Sequence, residues 1–274
     1  MRSGVPRRLL RSRVGQVGVA LTGVLVALGL FGGLIAPADP FLPTGLPLRP
    51  PGGAHPFGTD DLGRDVLSGV LHGARISLLV GVVTAATAAF VGTAIGATAG
   101  FYGGATDDLL MRLTEFVQVI PRFFLAVLVA ALFGPSIVFL VLLFGLTFWP
   151  GTARLVRSQV LSLREREYVV AARSVGLRDG RILVRHVLPN VLAIILVSGA
   201  LQVGAAILIE ASLSFLGLGD RSVVSWGYML NNAQPFLRSA PWLSVFPGLA
   251  LVITVLGTNL LADGLQATWE RPRT

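Results

Sequence analysis

Long uncharged runs of apolar residues alternate along the chain with short segments that carry nearly all of the charged side chains. A helix needs about 20 apolar residues to cross a hydrocarbon core of ~30 Å, so runs of this length predict membrane spans. The first run, Val14–Ile35, is longer than the ~7–15 apolar residues of a secretory signal, and we expect it to be retained as a spanning helix. The other runs cover residues 76–106, 187–209 and 239–262, and one more lies between Arg122 and Arg154.

The run between Arg122 and Arg154 is long enough for two helices. Gly-Pro-Ser at 134–136 interrupts it, and Trp-Pro-Gly at 149–151 is expected to end it. The first of its two helices must include residues from 110–122 to be long enough for a bilayer. The pattern therefore predicts an all-α polytopic membrane protein with six transmembrane helices. Kinks are expected at Pro121 and Pro247.

The connection between the first two spans predicts a loop followed by a helix. Residues 37–58 are rich in proline and glycine and predict an extended loop, whereas residues 59–78 have helical periodicity. Thr59 is the expected N-cap of this helix, with two aspartates in the first turn complementing the helix dipole. Its apolar residues recur every four positions and form one face that leads into the second span: Leu62, Val66, Val70 and Ala74.

Composition supports the membrane class. The chain is 53% hydrophobic and 13% charged, with a mean hydropathy of +0.76, whereas a soluble domain carries about 25% charged residues. The net charge of +8 comes from arginine alone, since there is no lysine. These arginines lie between apolar spans, so membrane topology explains them better than nucleic-acid binding does. The absence of cysteine excludes disulfides and thiolate metal sites.

Arginine positions orient the predicted helices. With the N-terminus in the cytoplasm, fifteen arginines lie inside and five outside, leaving out Arg112 and Arg122 at a boundary. This is a strong positive-inside pattern, so both termini are predicted to be cytoplasmic. Eight of the inside arginines belong to the segment 154–185, which has only three acidic residues. The other inside arginines are Arg2, Arg7, Arg8, Arg11, Arg13, Arg271 and Arg273, and the outside ones are Arg49, Arg64, Arg75, Arg221 and Arg238.

The second span carries a small residue at every fourth position. Such a ridge allows close backbone approach between membrane helices, and internal helix packing is its favoured interpretation. The alternative is that the ridge lines or slides along a translocation path. Its members are Thr84, Ala88, Gly92, Gly96 and Gly100, and Ala200 and Gly204 form a weaker version in the fifth span.

Ionisable residues are rare in the spans. Glu115, Glu210 and Asp263 all fall near predicted helix ends rather than at the midplane, where ion-coupled carriers place their acids. The energy source for transport is therefore expected to lie outside this chain. Glu210 either bonds neighbouring helices or faces a cavity. His55, His72 and His186 are scattered, and a zinc site built on His55 with Asp60 or Asp65 is a minor alternative.

Residues 163–175 of the arginine-rich segment predict a helix with one apolar face, formed by Tyr168, Ala171, Ala172 and Val175. Gly176 is expected to end this helix in the left-handed conformation, and Asp179 to cap a second helix at 180–187. Topology alone needs no such face, so we expect a docking element for a cytoplasmic partner. A DNA-binding helix-turn-helix is disfavoured because both ends are tethered to the bilayer, and no nucleic-acid partner is expected.

The sequence "EYVVAARSVGLRDGRILVRHVLPN", residues 167–190, resembles the EAA loop of binding-protein-dependent ABC importer permeases. The family pattern is Glu-Ala-Ala, three residues, Gly, and a Leu-Pro about a dozen residues later. Ala171, Ala172, Gly176, Leu188 and Pro189 match it, whereas Val170 stands at the glutamate position. By this resemblance the ATPase-coupling residues are Glu167, Tyr168, Ala171, Ala172, Arg173, Gly176 and Leu177.

Further segments, "HPFGTDDLGRDVLSGVLHGARISLLVG" (55–81) and "EASLSFLGLG" (210–219) among them, are similar to the C-type permease subunits of dipeptide, oligopeptide and nickel importers. The resemblance implies a type I importer fold in a bacterial plasma membrane. It also implies a homologous B-type permease, two cytoplasmic ATPases and an extracytoplasmic solute-binding protein as partners. The chain has no G-x-x-x-x-G-K-[ST] phosphate loop, so we expect no cofactor on it and ATP hydrolysis by partner subunits.

The predicted organisation has five parts. They are a basic cytoplasmic N-terminus (1–13), a peripheral first span (14–36), an outer loop with an amphipathic helix (37–75), a permease core (76–264) that contains the coupling loop 153–187, and a cytoplasmic tail (265–274). Two rival functions remain at this point. One is a membrane enzyme that uses His55 and Asp65, and the other is a stand-alone channel.

Overall fold

The apolar runs fold as helices that continue beyond the uncharged residues. The computed structural model describes residues 12–270. Its helices are α1 (Arg13–Ile35), α2 (Val66–Tyr102), α3 (Gly104–Val119), α4 (Arg122–Phe133), α5 (Ile137–Arg164), α6 (Glu167–Ser174), α7 (Asp179–Ile182), α8 (Leu188–Phe215), α9 (Trp226–Ala233) and α10 (Trp242–Glu270). A π-helical turn at Leu183–Val187 joins α7 to α8, and a 3-10 turn at Gln234–Phe236 follows α9. Throughout 12–270, extended pairing is limited to three isolated β-bridges.

Five helical segments are long and apolar enough to cross a membrane: α1, α2, α5, α10 and the segment Asp179–Phe215 that contains α8. The helices α3 and α4 pass the same test only as a pair, and they are bent by 66° at their junction. The described residues therefore contain five helices of spanning length, or six if this bent pair is one span. The all-α polytopic fold is therefore confirmed, and the kink expected at Pro121 coincides with the bend.

Arg122 stabilises this bend from the α4 side. Its Nε donates a hydrogen bond to the carbonyl of Thr147 at 3.0 Å, and its guanidinium carbon lies 4.5 Å from the centroid of the Phe148 ring. Both partners belong to α5. A boundary arginine thus ties the broken span to the next helix through a carbonyl and an aromatic face.

The central helix is α2, which contacts α1, α5, α8, α9 and α10. Fully buried aromatic and aliphatic side chains fill the space between α2, α5 and α8, with Phe144 and Phe148 at the centre. On the opposite side α1 packs on α10, where a Cβ at Gly18 would lie 2.5 Å from the Leu261 nitrogen. The backbones therefore meet closely along small residues, as expected where water does not drive helix association.

The start of α2 differs from the prediction. The helix begins at Val66 rather than Thr59, and its N-cap is Asp65, whose side chain accepts a hydrogen bond from the backbone nitrogen of Ser68. Thr59 instead bonds the preceding loop: its hydroxyl donates to the Leu46 carbonyl at 2.6 Å and accepts from the Arg49 nitrogen at 2.8 Å. The expected helical face also loses Leu62, which is 56% exposed in the loop.

The end of the fourth span also differs from the prediction. Trp-Pro-Gly at 149–151 does not stop α5, which continues to Arg164. Proline lacks the N–H that would bond the carbonyl four residues earlier. The indole nitrogen of Trp149 donates to that carbonyl, Leu146, at 3.0 Å. The tryptophan therefore satisfies the acceptor that Pro150 leaves free, and the helix continues.

An outer layer closes the ends of α2, α8 and α10. It consists of the loop 37–65, α9 and the start of α10. The indole of Trp242 donates to the Thr59 carbonyl at 3.2 Å, and the rings of Phe57 and Phe246 stack with centroids 3.9 Å apart. The loop expected at 37–58 is thus irregular but firmly attached to the helices.

The orientation of the helices across the membrane stays a prediction. The basic N-terminal segment expected at 1–13 overlaps the described chain only at Ser12 and Arg13, and the last four residues of the expected tail are also beyond it. Arginines that contribute to the positive-inside pattern but lie outside the described residues are Arg2, Arg7, Arg8, Arg11, Arg271 and Arg273.

Candidate functional site

The segment expected to dock a partner folds as the short helix α6. The predicted single helix over 163–175 is divided, because α5 runs to Arg164 and Arg166 adopts an extended conformation before α6 begins. Val169 is 0% exposed and Ala172 is 8% exposed. They pack into a cluster with buried side chains of α2, α5, α7 and α8. One side of α6 is therefore anchored to the membrane helices.

The other side of α6 is uncovered. Tyr168 is 42% exposed, Val175 is 78% exposed and Ala171 is also exposed. The predicted apolar face is thus split, since Ala172 turns inward to the buried cluster. We call the exposed set Tyr168, Ala171 and Val175 the α6 face. Val170, at the position of the family glutamate, is 50% exposed beside it.

The end of α6 matches the helix stop expected from the sequence. Gly176 has φ +79°, in the left-handed region that favours glycine. The Leu177 nitrogen donates to the Ala172 carbonyl at 3.2 Å and the Gly176 nitrogen to the Arg173 carbonyl at 2.9 Å, the hydrogen-bond pattern of a glycine-terminated helix. The side chain of Leu177 packs against the buried cluster. A Cβ at Gly176 meets nothing within 4 Å, so backbone conformation rather than space requires glycine there.

Arg173 links α6 to two neighbouring elements. Its Nε donates to an Asp179 carboxylate oxygen at 3.1 Å, and its guanidinium carbon lies 5.1 Å from the centroid of the Phe101 ring at the end of α2. Glu167 is exposed in the first turn of α6, where a negative charge complements the helix dipole. The last turn of the helix is therefore held by Arg173, while its outer side stays open.

Basic side chains are concentrated in the segment 154–185, which contains α6. Arg157 forms an ion pair with Asp107, and Arg164 pairs with Glu165 and donates to the Gly100 carbonyl. Five others are exposed and have no ion pair within the described chain, so an acidic partner surface would complement this region. These five are Arg154, Arg166, Arg178, Arg181 and Arg185.

The glycine ridge of α2 packs directly on α5. A Cβ at Gly92 would lie 2.6 Å from the Cβ of Thr152, and one at Gly100 would lie 2.8 Å from the Arg157 carbonyl oxygen. The approach is closest at Gly96, against the Ala153 carbonyl. This geometry is that of the internal-packing interpretation. The ridge holds α2 against the helix that leads into α6.

Glu210 lies near the end of α8, as expected, because this helix continues to Phe215. Its side chain is buried, and Oε1 accepts hydrogen bonds from the hydroxyls of Ser214 at 2.7 Å and Ser225 at 2.8 Å. Ser225 is the N-cap of α9. At 1.5 Å per residue, Glu210 lies about 33 Å along α8 from Leu188, near its far end. Of the two alternatives, the contacts are those of helix bonding.

A polar cluster that the sequence reasoning missed lies halfway along α8. The Gln202 amide nitrogen donates to the hydroxyls of Thr152 at 2.6 Å and Ser198 at 3.0 Å. These α8 residues lie roughly 15–21 Å from its start, at mid-depth in a ~30 Å core. Their signal in the sequence is the i, i+4 spacing of Ser198 and Gln202 in an otherwise apolar run. Thr152 and Ser198 are buried, so the cluster joins α5 to α8 inside the chain.

His55 and Asp65 do form a pair, 2.9 Å apart and buried. The other Asp65 oxygen accepts from the nitrogen and the hydroxyl of Ser68, both at 2.8 Å. Within the described range, no three histidine, cysteine or acidic side chains are grouped to hold a metal. Ser68 donates to the aspartate and not to the histidine, so the group caps α2 and shows no nucleophile–base contact.

Comparison with known proteins places this geometry in context. Residues 92–272, which include the three glycines of the ridge, α6 and the polar cluster, match the family model "Binding-protein-dependent transport system inner membrane component". The chain is 38% identical over 263 residues to the dipeptide transport system permease protein DppC of Alkalihalophilus pseudofirmus. The matched residues cover 95% of this chain and 86% of that protein. It is 35% identical over 262 residues to the oligopeptide transport system permease protein OppC of Bacillus subtilis, covering 94% and 86%.

Proposed function

Because the chain belongs to the family of binding-protein-dependent transport system inner membrane components, we propose that it is the C-type permease subunit of an ATP-driven peptide importer. The observation that carries this function is the match along 94–95% of the chain to relatives named as dipeptide and oligopeptide permeases. The protein is accordingly a multi-pass protein of the bacterial plasma membrane, with five or six helices of spanning length and composition.

The chain forms half of the translocation pathway and a homologous B-type permease forms the other half. An extracytoplasmic solute-binding protein delivers the peptide, and two cytoplasmic ATPases bind and hydrolyse ATP. The hydrogen bonds of Gln202 to Thr152 and Ser198 join α5 to α8 at mid-depth, so these two helices are expected to move together during transport.

One ATPase docks on the α6 face. Support comes from the contrast between its two sides: Val169 and Ala172 are buried in the bundle, whereas Tyr168, Ala171 and Val175 are uncovered. An apolar helical face of this kind fits a groove on a partner. The five unpaired arginines of the segment 154–185 favour a partner with acidic residues at the rim.

Displacement of α6 reaches the pathway through packed contacts. Val169 and Ala172 press on the cluster shared with α5 and α8. Arg173 connects α6 to the end of α2 and to α7. From α7 the chain enters α8 through the π-helical turn without a flexible loop. Movement of the ATPase is thereby transmitted to the helices that carry the polar cluster.

The substitution Ala171→Glu tests this docking. The full chain, its partner permease, the ATPases and the binding protein are reconstituted in vesicles, and uptake of a labelled dipeptide is measured. A charge at the centre of an interface removes a well-packed contact, so we expect uptake to fall tenfold or more. Val184→Glu is the matched control, since Val184 is 60% exposed in the π-helical turn but lies outside the α6 face. It should leave uptake unchanged.

The outcomes separate the parts of the proposal. Unchanged uptake by Ala171→Glu, with normal insertion, contradicts coupling through the α6 face. Failure of the wild-type complex to accumulate any dipeptide or oligopeptide contradicts the peptide class. Solute accumulation by the purified chain without ATPases contradicts the permease-subunit role altogether.

A further inference from the structure

A groove between α1 and α2 is not used by the proposed transport mechanism. One face of each helix lines it: Val26, Leu30 and Leu34 recur every four residues on α1, and Leu79 and Val82 lie opposite on α2. These side chains are between 45% and 84% exposed. The groove has a volume of about 770 Å³, within the ~300–1,000 Å³ of small-molecule sites. It is large enough for an elongated apolar ligand.

The floor of the groove is made by glycines at the end of α1. A Cβ at Gly32 would lie 2.7 Å from the Leu71 carbonyl oxygen, so the two helices meet closely there. Gly29 and Gly33 line the groove itself and add no side chain to it. The close approach at Gly32 sets the two apolar faces at the walls of a cleft, and the missing side chains at Gly29 and Gly33 keep that cleft open.

Two basic side chains lie at one end of this apolar groove. Arg75 is exposed and, within residues 12–270, has neither an ion pair nor a hydrogen bond. His72 donates from Nδ1 to the Ser68 carbonyl at 2.9 Å, which leaves Nε2 facing the groove, 3.4 Å from where a Cβ of Gly33 would lie. Arg75 directly precedes the uncharged run of α2, at the depth of the lipid headgroups.

We propose that the groove binds one phospholipid, with the headgroup phosphate on Arg75 and an acyl chain along Leu30, Leu34 and Val82. Arginine binds phosphate through two parallel hydrogen bonds. The negative charge of a phosphodiester would also compensate the positive charge of Arg75. A helix of another subunit would also cover the apolar walls, but it would leave the guanidinium uncompensated unless it carried an acid at that depth. The bound lipid joins the peripheral α1 to the central α2.

The test uses the full-length chain purified in mild detergent with its co-purifying subunits. A phospholipid carrying a photoactivatable diazirine in its acyl chain is added, irradiated, and the crosslinked residues are mapped by mass spectrometry. We expect strong labelling of residues 26–34 relative to the exposed apolar side of α10, around Leu249 and Val252, which bilayer lipid contacts without a site.

Arg75→Gln should lower the labelling of 26–34 roughly tenfold, because the charge-assisted phosphate contact is lost. Arg238→Gln is the control: Arg238 is exposed on the same side of the membrane and lies away from the groove. It should label as the wild type does. Gly33→Leu, which fills the groove, should also lower labelling, and Arg75→Gln decides the question if that variant does not fold.

Three results would overturn the proposal. Labelling of 26–34 that equals labelling of α10 in the wild type would mean ordinary bilayer contact only. Equal labelling of residues 26–34 in Arg75→Gln and Arg238→Gln would contradict the proposed phosphate contact of Arg75. A crosslink from a photoreactive residue at position 30 to another protein chain, in place of lipid, would assign the groove to a partner subunit. None of these results depends on peptide transport.

Discussion

The outer layer and the segment 165–187 both connect membrane helices, but they differ in which side chains they bury and which they expose. In the outer layer, polar side chains are buried and find partners within the chain: Asp65 is 3% exposed and accepts three hydrogen bonds. In α6, apolar side chains are left uncovered: Val170 is 50% and Val175 is 78% exposed. A helix in water normally buries such residues.

The difference separates a scaffold from a docking element. A layer whose buried polar groups are all paired internally resists change, since each broken bond leaves an unsatisfied group. A helix that buries only Val169 and Ala172 exposes its remaining apolar area to a partner. Substitutions in the outer layer should therefore act on folding, and substitutions on α6 should act on coupling.

Trp226→Ala should produce the largest loss of folding stability. Trp226 is 1% exposed, and its indole donates to the Val70 carbonyl at 3.0 Å. Removing a buried aromatic side chain costs about 3–5 kcal/mol, and here it also removes the indole hydrogen bond to α2. Thermal unfolding in detergent measures the effect. Tyr168→Ala, at a 42% exposed aromatic of α6, should change stability by less than about 0.5 kcal/mol. Equal losses would remove the distinction between the two regions.

Asp65→Ala should produce the next largest loss of folding stability. It removes the N-cap of α2 and the partner of His55, three hydrogen bonds to one buried carboxylate. Hydrogen bonds to charged groups contribute about 1.5–3 kcal/mol, so we expect a loss of that order. Asp61→Ala is the control, because this neighbouring aspartate has no hydrogen bond or ion pair within the described residues. If Asp65→Ala and Asp61→Ala lowered the midpoint of thermal unfolding by similar amounts, the capping role of Asp65 would be contradicted.

Gly176→Val should have a moderate effect on stability and a strong one on transport. A β-branched residue at φ +79° costs about 1–2 kcal/mol of local strain, which the end of α6 relieves by shifting. Membrane insertion is retained, while peptide uptake per ATP hydrolysed falls. Gly180→Val is the matched control, since Gly180 lies in α7 without a positive φ and has open space around it. Unchanged peptide uptake in the Gly176→Val variant would contradict the coupling role of this turn.

Hydropathy and proline placement predicted the spans, the break at Pro121 and the break at 134–136, because bilayer thickness and backbone hydrogen bonding act locally. Gly176 was predictable for the same reason: a left-handed helix end favours glycine in any fold. These features depend on residues close together in sequence. The approximate positions of the spans therefore follow from the sequence, whereas the start of α2 and the end of α5 do not.

The features that were wrong or missed depend on contacts between distant residues. Thr59 was a plausible N-cap, but Leu46 and Arg49 hold it in the loop. Ala172 was expected on the docking side, and the buried cluster takes it inward. The Gln202 cluster joins side chains 46–50 residues apart in sequence. Such choices are made by packing, which periodicity does not specify.

Val170→Glu should have the smallest effect, and it defines the edge of the α6 face. Val170 is 50% exposed, so a charge there needs no desolvation, and it would lie three residues before Arg173 on the same helix. We expect a stability change below about 0.5 kcal/mol, favourable in sign, because such pairs contribute ~0.2–0.5 kcal/mol.

Peptide uptake by Val170→Glu should be retained, since the family pattern places glutamate at this position. The comparison with Ala171→Glu is then between adjacent residues carrying the same charge. Retained uptake in the first and lost uptake in the second would confine the ATPase contact to the side of α6 formed by Tyr168, Ala171 and Val175. Equal loss in both would mean that the partner covers the whole exposed half of the helix, and that Val170 is itself an interface residue rather than its neighbour.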